Sequence, residues 1–416
     1  MAMASIGSDS GPRAQGWPTA AAALAAAGAT SAILGLPAVM PDVMEAFRIS
    51  HAQGGLMVTS LWVGHAVSQA LAGWAAGAMG VRRLLRWTLA GLGALLILSL
   101  LAPSYPVLVG LRTVTGFGVG AAFVLAVLYA AEHADAVTLR SRQGLVGAAA
   151  YAGCAVSYAA IAGIQGSAGW RVGYVPSLAF IADSLALLAS PRSYRPGRAQ
   201  TRARLPIRQT WSVVWSGRIP VLAMAHLSSF GVFVVVASWL TTYFLQWSGL
   251  GRAESLYVSA GVLTAGAIGR FVGGALLGRV PDRALIMEAL ACSAAALAGL
   301  ALSPPFPLAL TLACVVLACS SLLYGSIVTL ALGRRPPAEA GVSVAWMLFL
   351  GSLGGAGLPT AVGWLVDGTG SFAPGFALLA GITFATVTLL PFYPQTAPVP
   401  DQVPTAVDGL AVPAAR

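Results

Sequence analysis

The chain has 416 residues, of which 57% are hydrophobic and only 9% are charged, and its mean hydropathy is +0.81. A soluble protein keeps about a quarter of its residues charged, so this composition excludes a soluble globular chain and favours a membrane protein. The formal net charge of +10 does not indicate nucleic-acid binding, because most of the arginines lie between apolar runs and do not form one patch.

Taken in chain order, twelve apolar stretches are each long enough to cross a bilayer core, which takes about 20 helical residues. Helices are expected for such runs because lipid offers no partner to unpaired backbone groups. The predicted spans are 18–40, 53–79, 84–102, 106–131, 143–165, 172–190, 219–246, 254–278, 284–302, 306–332, 340–366 and 372–392. Residues 1–17 and 393–416 are predicted to be cytoplasmic tails, the first without a cleaved signal and the second disordered.

The arginine distribution predicts the orientation of these spans. With the amino terminus inside, 16 arginines fall in inner loops and on the inner linker, against Arg48, Arg171 and Arg252 outside. The positive-inside rule therefore predicts that both termini are cytoplasmic. We expect a multi-pass protein of a bacterial plasma (inner) membrane.

An internal duplication divides the chain at an Arg-rich stretch, 191–218, which is predicted to be a cytoplasmic linker. The segment Gly73–Arg82 after span two is repeated by Gly274–Arg283 after span eight, with a shift of 201 residues. A second pair enters spans six and twelve, beginning at Gly166 and Gly368, with a shift of 202. Similar shifts at two independent places predict two related six-helix bundles, 18–190 and 219–392.

These motifs resemble those of the major facilitator superfamily over nearly the whole chain. The turns after spans two and eight resemble the superfamily's Gly-x-Leu-Ala-Asp-Arg-x-Gly-Arg-Arg signature. Span four contains Arg112-Thr-Val-Thr-Gly-Phe-Gly-Val-Gly, which is similar to its Arg-x-x-x-Gly-x-Gly-x-Gly pattern. The resemblance implies an all-α membrane fold of twelve helices in two pseudo-symmetric bundles. It also implies a secondary transporter whose halves rock about a site at the midplane.

The same resemblance implies a gate. In the superfamily the signature clamps the cytoplasmic side in one conformation, and its matching positions here are Gly73, Gly77, Arg82, Arg83, Gly274, Arg279 and Arg283. The signature Asp is replaced by Gly77 in the first half and by Gly278 in the second. The charge-based latch that this Asp carries is therefore in question, although several of the arginines remain.

Arg270 in span eight is the leading candidate for substrate binding, because an ionisable group at membrane depth is costly and calls for a function. The segment Gly269-Arg270-Phe-Val-Gly-Gly resembles that of monocarboxylate, oxalate and nitrate porters, in which an Arg of this span binds the substrate anion. A guanidinium offers paired donors to a carboxylate or a nitrate. The alternative is a structural Arg that bonds helix ends near the gate.

The repeat shift of 201 maps Arg270 onto Gln69, and His65 lies one turn earlier on the same helical face. Nitrate porters place a second Arg at that mirrored position, so Gln69 argues against a two-arginine nitrate site. We expect His65 to complete the substrate site and to carry the coupling proton, since His changes charge most easily near neutral pH. The alternative is a neutral His that hydrogen-bonds to a neighbouring helix.

Arg112 is a further candidate for substrate binding and proton coupling. Spans one, two, four and five offer no acidic partner, which leaves backbone carbonyls, Thr30 or Ser31, or the substrate. The candidate walls of the substrate cavity are Tyr151, Tyr158, Tyr243, Tyr324 and Trp346, and the alternative for each is ordinary packing. Three other ionisable groups are not expected to touch substrate: His226 is predicted to be structural, Asp183 has no evident partner, and Glu288 is near enough to pair with Arg283.

The function predicted from these residues is proton-coupled symport of a small organic anion, monocarboxylate-like, by a monomer that uses rocker-switch alternating access. Two alternatives stay open: a drug or metabolite antiporter, and a non-transporting membrane protein. Span five lacks the Gly-Pro pair of many drug antiporters. The sequence has no phosphate loop, His-Glu-x-x-His motif or Cys/His cluster, so we expect neither an enzyme nor a cofactor or metal site.

Overall fold

The computed structural model of the chain describes residues 12–134, 138–164, 169–190, 219–332 and 337–392. Nearly all of these residues are helical, and the described part contains no β-sheet. The predicted linker 191–218 and the predicted tail 393–416 lie outside the described residues, as do residues 1–11.

Six membrane spans form the first half of the fold. They are span one (Pro12–Ala38), span two (His51–Met79), span three (Val81–Leu100), span four (Tyr105–Glu132), span five (Leu139–Ile164) and span six (Val175–Ala189). A short helix, Met40–Phe47, follows span one, and a 3-10 helix, Gly169–Tyr174, leads into span six.

The second half repeats the arrangement, with two of its spans interrupted. Span seven comprises Ile219–His226, a π-helical segment Leu227–Gly231, and Val232–Trp247. Span ten comprises Phe306–Leu322 and Tyr324–Leu332. The others are span eight (Arg252–Leu276), span nine (Asp282–Ala301), span eleven (Pro337–Thr369) and span twelve (Ala373–Leu389).

The twelve predicted spans each coincide with one of these helical spans. In the described residues, ten helical stretches are long and apolar enough to cross a membrane; span two has 29 residues, and span twelve is an apolar helix of 17 residues. Proline stands in the first turn of spans four, six, ten and twelve, where its missing N–H costs nothing. At span two the Ser50 hydroxyl and the Gln53 side chain form a capping box.

Two arginines cap the ends of the outer helices. The Arg82 guanidinium donates to the carbonyl of Leu188, with Nη2 at 2.6 Å, and to the carbonyl of Ser190 at 3.1 Å, at the end of span six. At the other end of the bundle, Arg171 Nε donates to the carbonyl of Leu100, the last residue of span three, at 2.8 Å. Each cation satisfies carbonyls that the helix itself leaves unpaired.

The halves pack together mainly through three pairs of spans. Span two packs against span eleven, span five against span eight, and span one against span seven. One continuous hydrophobic core runs through both halves, and a second, smaller cluster lies in the second half around Leu222, Leu290 and Ile327. The faces that meet between the halves are where the candidate site is found.

Candidate functional site

The two halves are joined by polar contacts at one end of the molecule, which we call the closed end. It carries the short helix Met40–Phe47, the start of span two, the start of span eight and the end of span eleven. Here the Arg252 guanidinium of the second half donates to Asp42 and to Glu45 of the first half. This pairing of one cation with two carboxylates joins the halves electrostatically.

Asp367 forms a second polar contact between the halves at the closed end. Its carboxylate accepts hydrogen bonds from the backbone N–H groups of His51 at 2.9 Å and Ala52 at 2.8 Å, and it lies 2.9 Å from Nδ1 of the His51 ring. A carboxylate of span eleven thus caps the first turn of span two, where unpaired N–H groups and the helix dipole favour negative charge. Deeper along the same two spans, the Thr59 and Thr360 hydroxyls hydrogen-bond at 2.8 Å.

Away from the closed end, Arg270 occupies a different kind of contact between the halves. Its guanidinium carbon lies 3.5 Å from the centroid of the Tyr324 ring in span ten and 5.2 Å from that of Tyr151 in span five. Arg270 is half-buried, and no described residue accepts a hydrogen bond from it or forms an ion pair with it. The cation is held by aromatic faces from both halves while its N–H donors stay unpaired.

A series of ring contacts leads from this arginine to span two. Tyr324 lies 5.8 Å from the ring of His226, and His226 stacks on Phe230 at 5.1 Å with an interplanar angle of 14°. Phe230 meets Trp62 edge-on at 5.0 Å, and Trp62 meets His65 edge-on at 4.6 Å. The π-helical segment of span seven carries Phe230, so this irregular turn bears the ring that reaches the other half.

His65 and Gln69 are brought together as the sequence suggested. Nε2 of His65 lies 3.0 Å from the side-chain amide nitrogen of Gln69, and His65 is 5% exposed with no partner on Nδ1. In the described part of the chain, neither residue hydrogen-bonds to Arg270, and the rings of Tyr324, His226, Phe230 and Trp62 lie between them. The two candidate groups therefore border the interface from opposite halves.

Arg112 takes one of the roles left open for it. It is 0% exposed, and its guanidinium donates to two carbonyls of span one, Ala32 at 2.7 Å and Ile33 at 2.9 Å. These bonds pair the two terminal nitrogens of a cation that has no acidic partner among the described residues, while its Nε stays unpaired, and they hold spans four and one together. Of the alternatives drawn from the sequence, the structure matches the backbone carbonyls.

The family of the chain follows from its sequence, which matches the profile described as the Major Facilitator Superfamily over residues 19–359. The chain belongs to this superfamily. It is accordingly a multi-pass membrane protein of the twelve-helix fold and a secondary transporter, not an enzyme.

Relatives of this superfamily member are named for anions. It is 26% identical over 361 residues to a probable sulfoacetate transporter of Cupriavidus necator, covering 80% of this chain and 83% of the relative. It is 28% identical over 171 residues to a probable nitrate/nitrite transporter of Mycobacterium tuberculosis, covering 41% of this chain and 40% of the relative.

Solved structures share the fold. A nucleoside transporter superposes with a TM-score of 0.76 at 11% identity, covering 92% of this chain and 100% of that one. A D-xylose-proton symporter superposes with a TM-score of 0.70 at 17% identity, covering 90% of this chain and 96% of that one. Identities this low carry the fold alone.

The superfamily's gate residues lie at the end opposite the closed end. Arg82 binds span six of its own half, and Arg279 donates to the carbonyl of Ala275 in its own helix. Arg83 is exposed and Arg283 half-buried. At Gly77 and Gly274 a Cβ would meet nothing within 4 Å, and the surroundings of Gly73 are not described. The gate assigned to these residues stays a prediction.

Several other residues can now be placed. Trp346 packs edge-on against Phe349 at 5.5 Å, in the second half. Asp183 and Glu288 are both exposed on outer helices, and Glu288 forms no ion pair with Arg283. In the described part of the chain no three His, Cys, Asp or Glu side chains are grouped so that they could hold a metal ion.

The sequence does not point to two rings of this series, and it does not predict what surrounds His226. Trp62 and Phe230 were not singled out, because an aromatic side chain in an apolar run is ordinarily packing. The structural role predicted for His226 stays a prediction: its ring packs against Phe230 and span eleven, and no described residue hydrogen-bonds either of its ring nitrogens. The repeat shift of 201 residues relates only spans two and eight, so it could not predict their contacts with spans seven and ten.

Proposed function

We propose that this protein is a proton-coupled symporter of a small organic anion, monocarboxylate-like, in which Arg270 binds the anionic group. The observation that carries the proposal is the state of the Arg270 guanidinium. It is stacked against Tyr324 of its own half and Tyr151 of the other half, and no described residue accepts from its N–H groups.

The stacking leaves Arg270 suited to an anion. The five N–H donors of a guanidinium lie in its plane, so aromatic rings over its faces leave the edges free for a carboxylate with two parallel hydrogen bonds. A cation at membrane depth is costly unless it is paired, and no carboxylate of the described residues pairs with this one. An anionic substrate supplies the missing charge.

Two further features support the anion class. The relatives described as probable sulfoacetate and nitrate/nitrite transporters are both named for anions. Gln69 stands opposite Arg270 in the repeat, so the site has one fixed positive charge where a two-arginine site would have two. One fixed positive charge favours an anion that has a single negatively charged group, which pairs with the guanidinium.

The coupling ion in this proposal is a proton taken up by His65. Its imidazole is 5% exposed, is bonded to Gln69 through Nε2, and has no described partner on Nδ1. We place the protein as a monomer in a bacterial inner membrane with both termini in the cytoplasm. Its halves, 18–190 and 219–392, would rock against each other across the ring series.

The direct test is uptake of labelled small carboxylates into proteoliposomes. Removing the guanidinium in Arg270→Ala should lower uptake by about tenfold or more, since a charge-assisted pair contributes about 1.5–3 kcal/mol. Arg270→Lys should recover only part of it, because an ammonium lacks the fork. Asp183→Asn, on an exposed outer position, is the matched control and should transport normally. Normal uptake by Arg270→Ala would overturn the site.

Proton coupling needs its own measurement. Uptake should rise with an inwardly directed proton gradient and fall when a protonophore collapses it. In His65→Gln, which keeps a hydrogen-bonding side chain for Gln69, the gradient should no longer increase uptake while anion binding persists. Uptake that ignores the gradient in the unsubstituted protein would refute the symport mechanism and leave the anion site standing.

A further inference from the structure

His226 is a buried polar group that the proposed site does not yet use. It ends the first helical part of span seven, is 2% exposed, and has no described hydrogen-bond partner at either ring nitrogen. Buried polar groups are nearly always paired, and leaving one unpaired costs about 1–3 kcal/mol. A group kept in this condition calls for a partner from outside the chain.

Packing, and not hydrogen bonding, holds the imidazole in place. The ring stacks on Phe230 at 5.1 Å on one side. On another side it lies directly on span eleven at Gly351, where a Cβ would collide with the imidazole carbons. Only glycine at position 351 leaves room for the ring. The imidazole is thus oriented by packing, while neither of its nitrogens has a described hydrogen-bond partner.

Tyr324 connects His226 to the anion site. The same tyrosine ring lies 3.5 Å from the guanidinium carbon of Arg270 and 5.8 Å from the centroid of the His226 ring. Two polar groups that have no hydrogen-bond partner among the described residues, one charged and half-buried and the other an imidazole, therefore border the same tyrosine.

We propose that His226 is a second contact for the substrate, which is a small organic anion carrying a second hydrogen-bonding group. The anionic group binds Arg270, and the second group, such as a hydroxyl, carbonyl or sulfonate oxygen, binds the imidazole of His226. A neutral imidazole has one donor and one acceptor nitrogen, so it can pair with any of these. The inference rests on the proposed anion transport and narrows its substrate class.

Such a site discriminates against anions with a single polar group. Nitrate, or an alkyl carboxylate, would satisfy Arg270 but leave the buried imidazole unpaired, and unpaired buried groups are what allow a site to reject analogues. His65 is less suited to this role because its Nε2 is already bonded to Gln69. The π-helical segment that starts at Leu227 is also of the kind that often occurs at functional sites.

Isosteric pairs of carboxylates test the inference. Propionate and glycolate differ by a methyl in place of a hydroxyl, and butyrate and 3-hydroxypropionate differ in the same way. Affinities are measured by calorimetry on the full chain in lipid nanodiscs, together with sulfoacetate. The hydroxylated member of at least one pair should bind about tenfold more tightly than its alkyl partner, the amount expected for one hydrogen bond to a buried group.

Three variants separate His226 from general packing. His226→Phe keeps the ring stack and should remove the preference for the second polar group while leaving the alkyl carboxylate unchanged. His226→Gln retains a donor and an acceptor and should recover part of the preference. Gly351→Ala, which pushes on the imidazole, should act like His226→Phe, whereas Gly357→Ala, where a Cβ meets nothing within 4 Å, is the matched control.

The outcomes are distinguishable. If His226→Phe weakens both members of every pair equally, or neither, the second contact is refuted while the Arg270 site stands. If no anion binds, or if Arg270→Ala leaves binding intact, the anion proposal itself has failed. Should His226→Phe not fold, the preference measured in Gly351→Ala against Gly357→Ala decides the question.

Discussion

Removing the Asp367 carboxylate should release the closed end of the molecule. Asp367→Ala takes away the acceptor for two backbone N–H groups at the start of span two and for the His51 ring, all of them contacts between the halves. In alternating access these bonds exist only while this end is closed. The substitution therefore acts on the equilibrium between conformations more than on the folding of either half.

The magnitude follows from the two kinds of bond. Capping of a helix by a side-chain acceptor contributes about 1 kcal/mol. The His51–Asp367 pair, with side chains 19% and 27% exposed, adds up to about 1 kcal/mol because such pairs are partly screened. A loss of about 2 kcal/mol shifts the equilibrium roughly 30-fold toward the conformation open at this end.

Spin labels at Leu101 and Leu302 can report that shift by pulsed distance measurements. These positions directly follow spans three and nine at the closed end, are 72% and 83% exposed, and lie outside the contacts between halves. The four cysteines are first replaced by alanine. Asp367→Ala should add a population with a longer distance between the two labels. Asp367→Asn should add a smaller such population, because the amide keeps an acceptor. The outer-helix control Asp183→Asn should add none. An unchanged distribution in Asp367→Ala would show that the carboxylate does not hold the halves.

Two further substitutions test structural roles. Arg82→Ala removes the cap on span six and should lower the free energy of unfolding by about 1–2 kcal/mol in thermal melts of the purified protein. The control, Arg83→Ala, changes an exposed neighbour and should leave the free energy of unfolding unchanged. Equal effects of the two substitutions would contradict the capping role. Arg112→Ala loses two charge-assisted bonds to span one and leaves a cavity, so the same melts should show a loss of about 3 kcal/mol, with anion affinity retained by the folded protein. A stable Arg112→Ala that no longer couples protons would instead assign it the functional role.

The fold was largely predictable because lipid simplifies the problem. A run of some 20 apolar residues in a bilayer has helix as its only solution, so all twelve spans could be read from hydropathy. The interruptions could not. The π-helical turn at Leu227–Gly231 and the break between Leu322 and Tyr324 lie within uniformly apolar sequence, where packing against neighbouring helices, and not composition, decides the local geometry.

The site was predictable only in part: its ionisable residues could be picked out from the sequence, and some of its aromatic residues could not. Arg270 and His65 stand out in the sequence because ionisable groups are rare and costly at membrane depth. Trp62 and Phe230 do not stand out, since aromatic residues are common in such helices, and Tyr324 is only one of several aromatic candidates for the cavity wall. The surroundings of His226 could not be predicted, because whether a buried His has a hydrogen-bond partner depends on which helix lies beside it. Here that helix is span eleven at Gly351, and no internal repeat encodes the contact.

The two ends of the molecule differ in the charged contacts that can join the halves, and this difference bears on how transport would be driven. The closed end is joined by Arg252 with two carboxylates and by Asp367 on span two. At the opposite end the predicted gate has Gly77 and Gly278 where the superfamily's signature has Asp, and Arg82 is bound within its own half.

In the proposed cycle, closing that opposite end therefore cannot draw on the usual charged latch. A ligand shifts a conformational equilibrium only by binding one state more tightly than the other. Arg270 contacts Tyr151 across the interface and Tyr324 within its own half, so an anion that neutralises it acts where the halves meet. The free energy that breaks the contact between Asp367 and the start of span two must then come from binding of the anion at Arg270, together with the coupling proton.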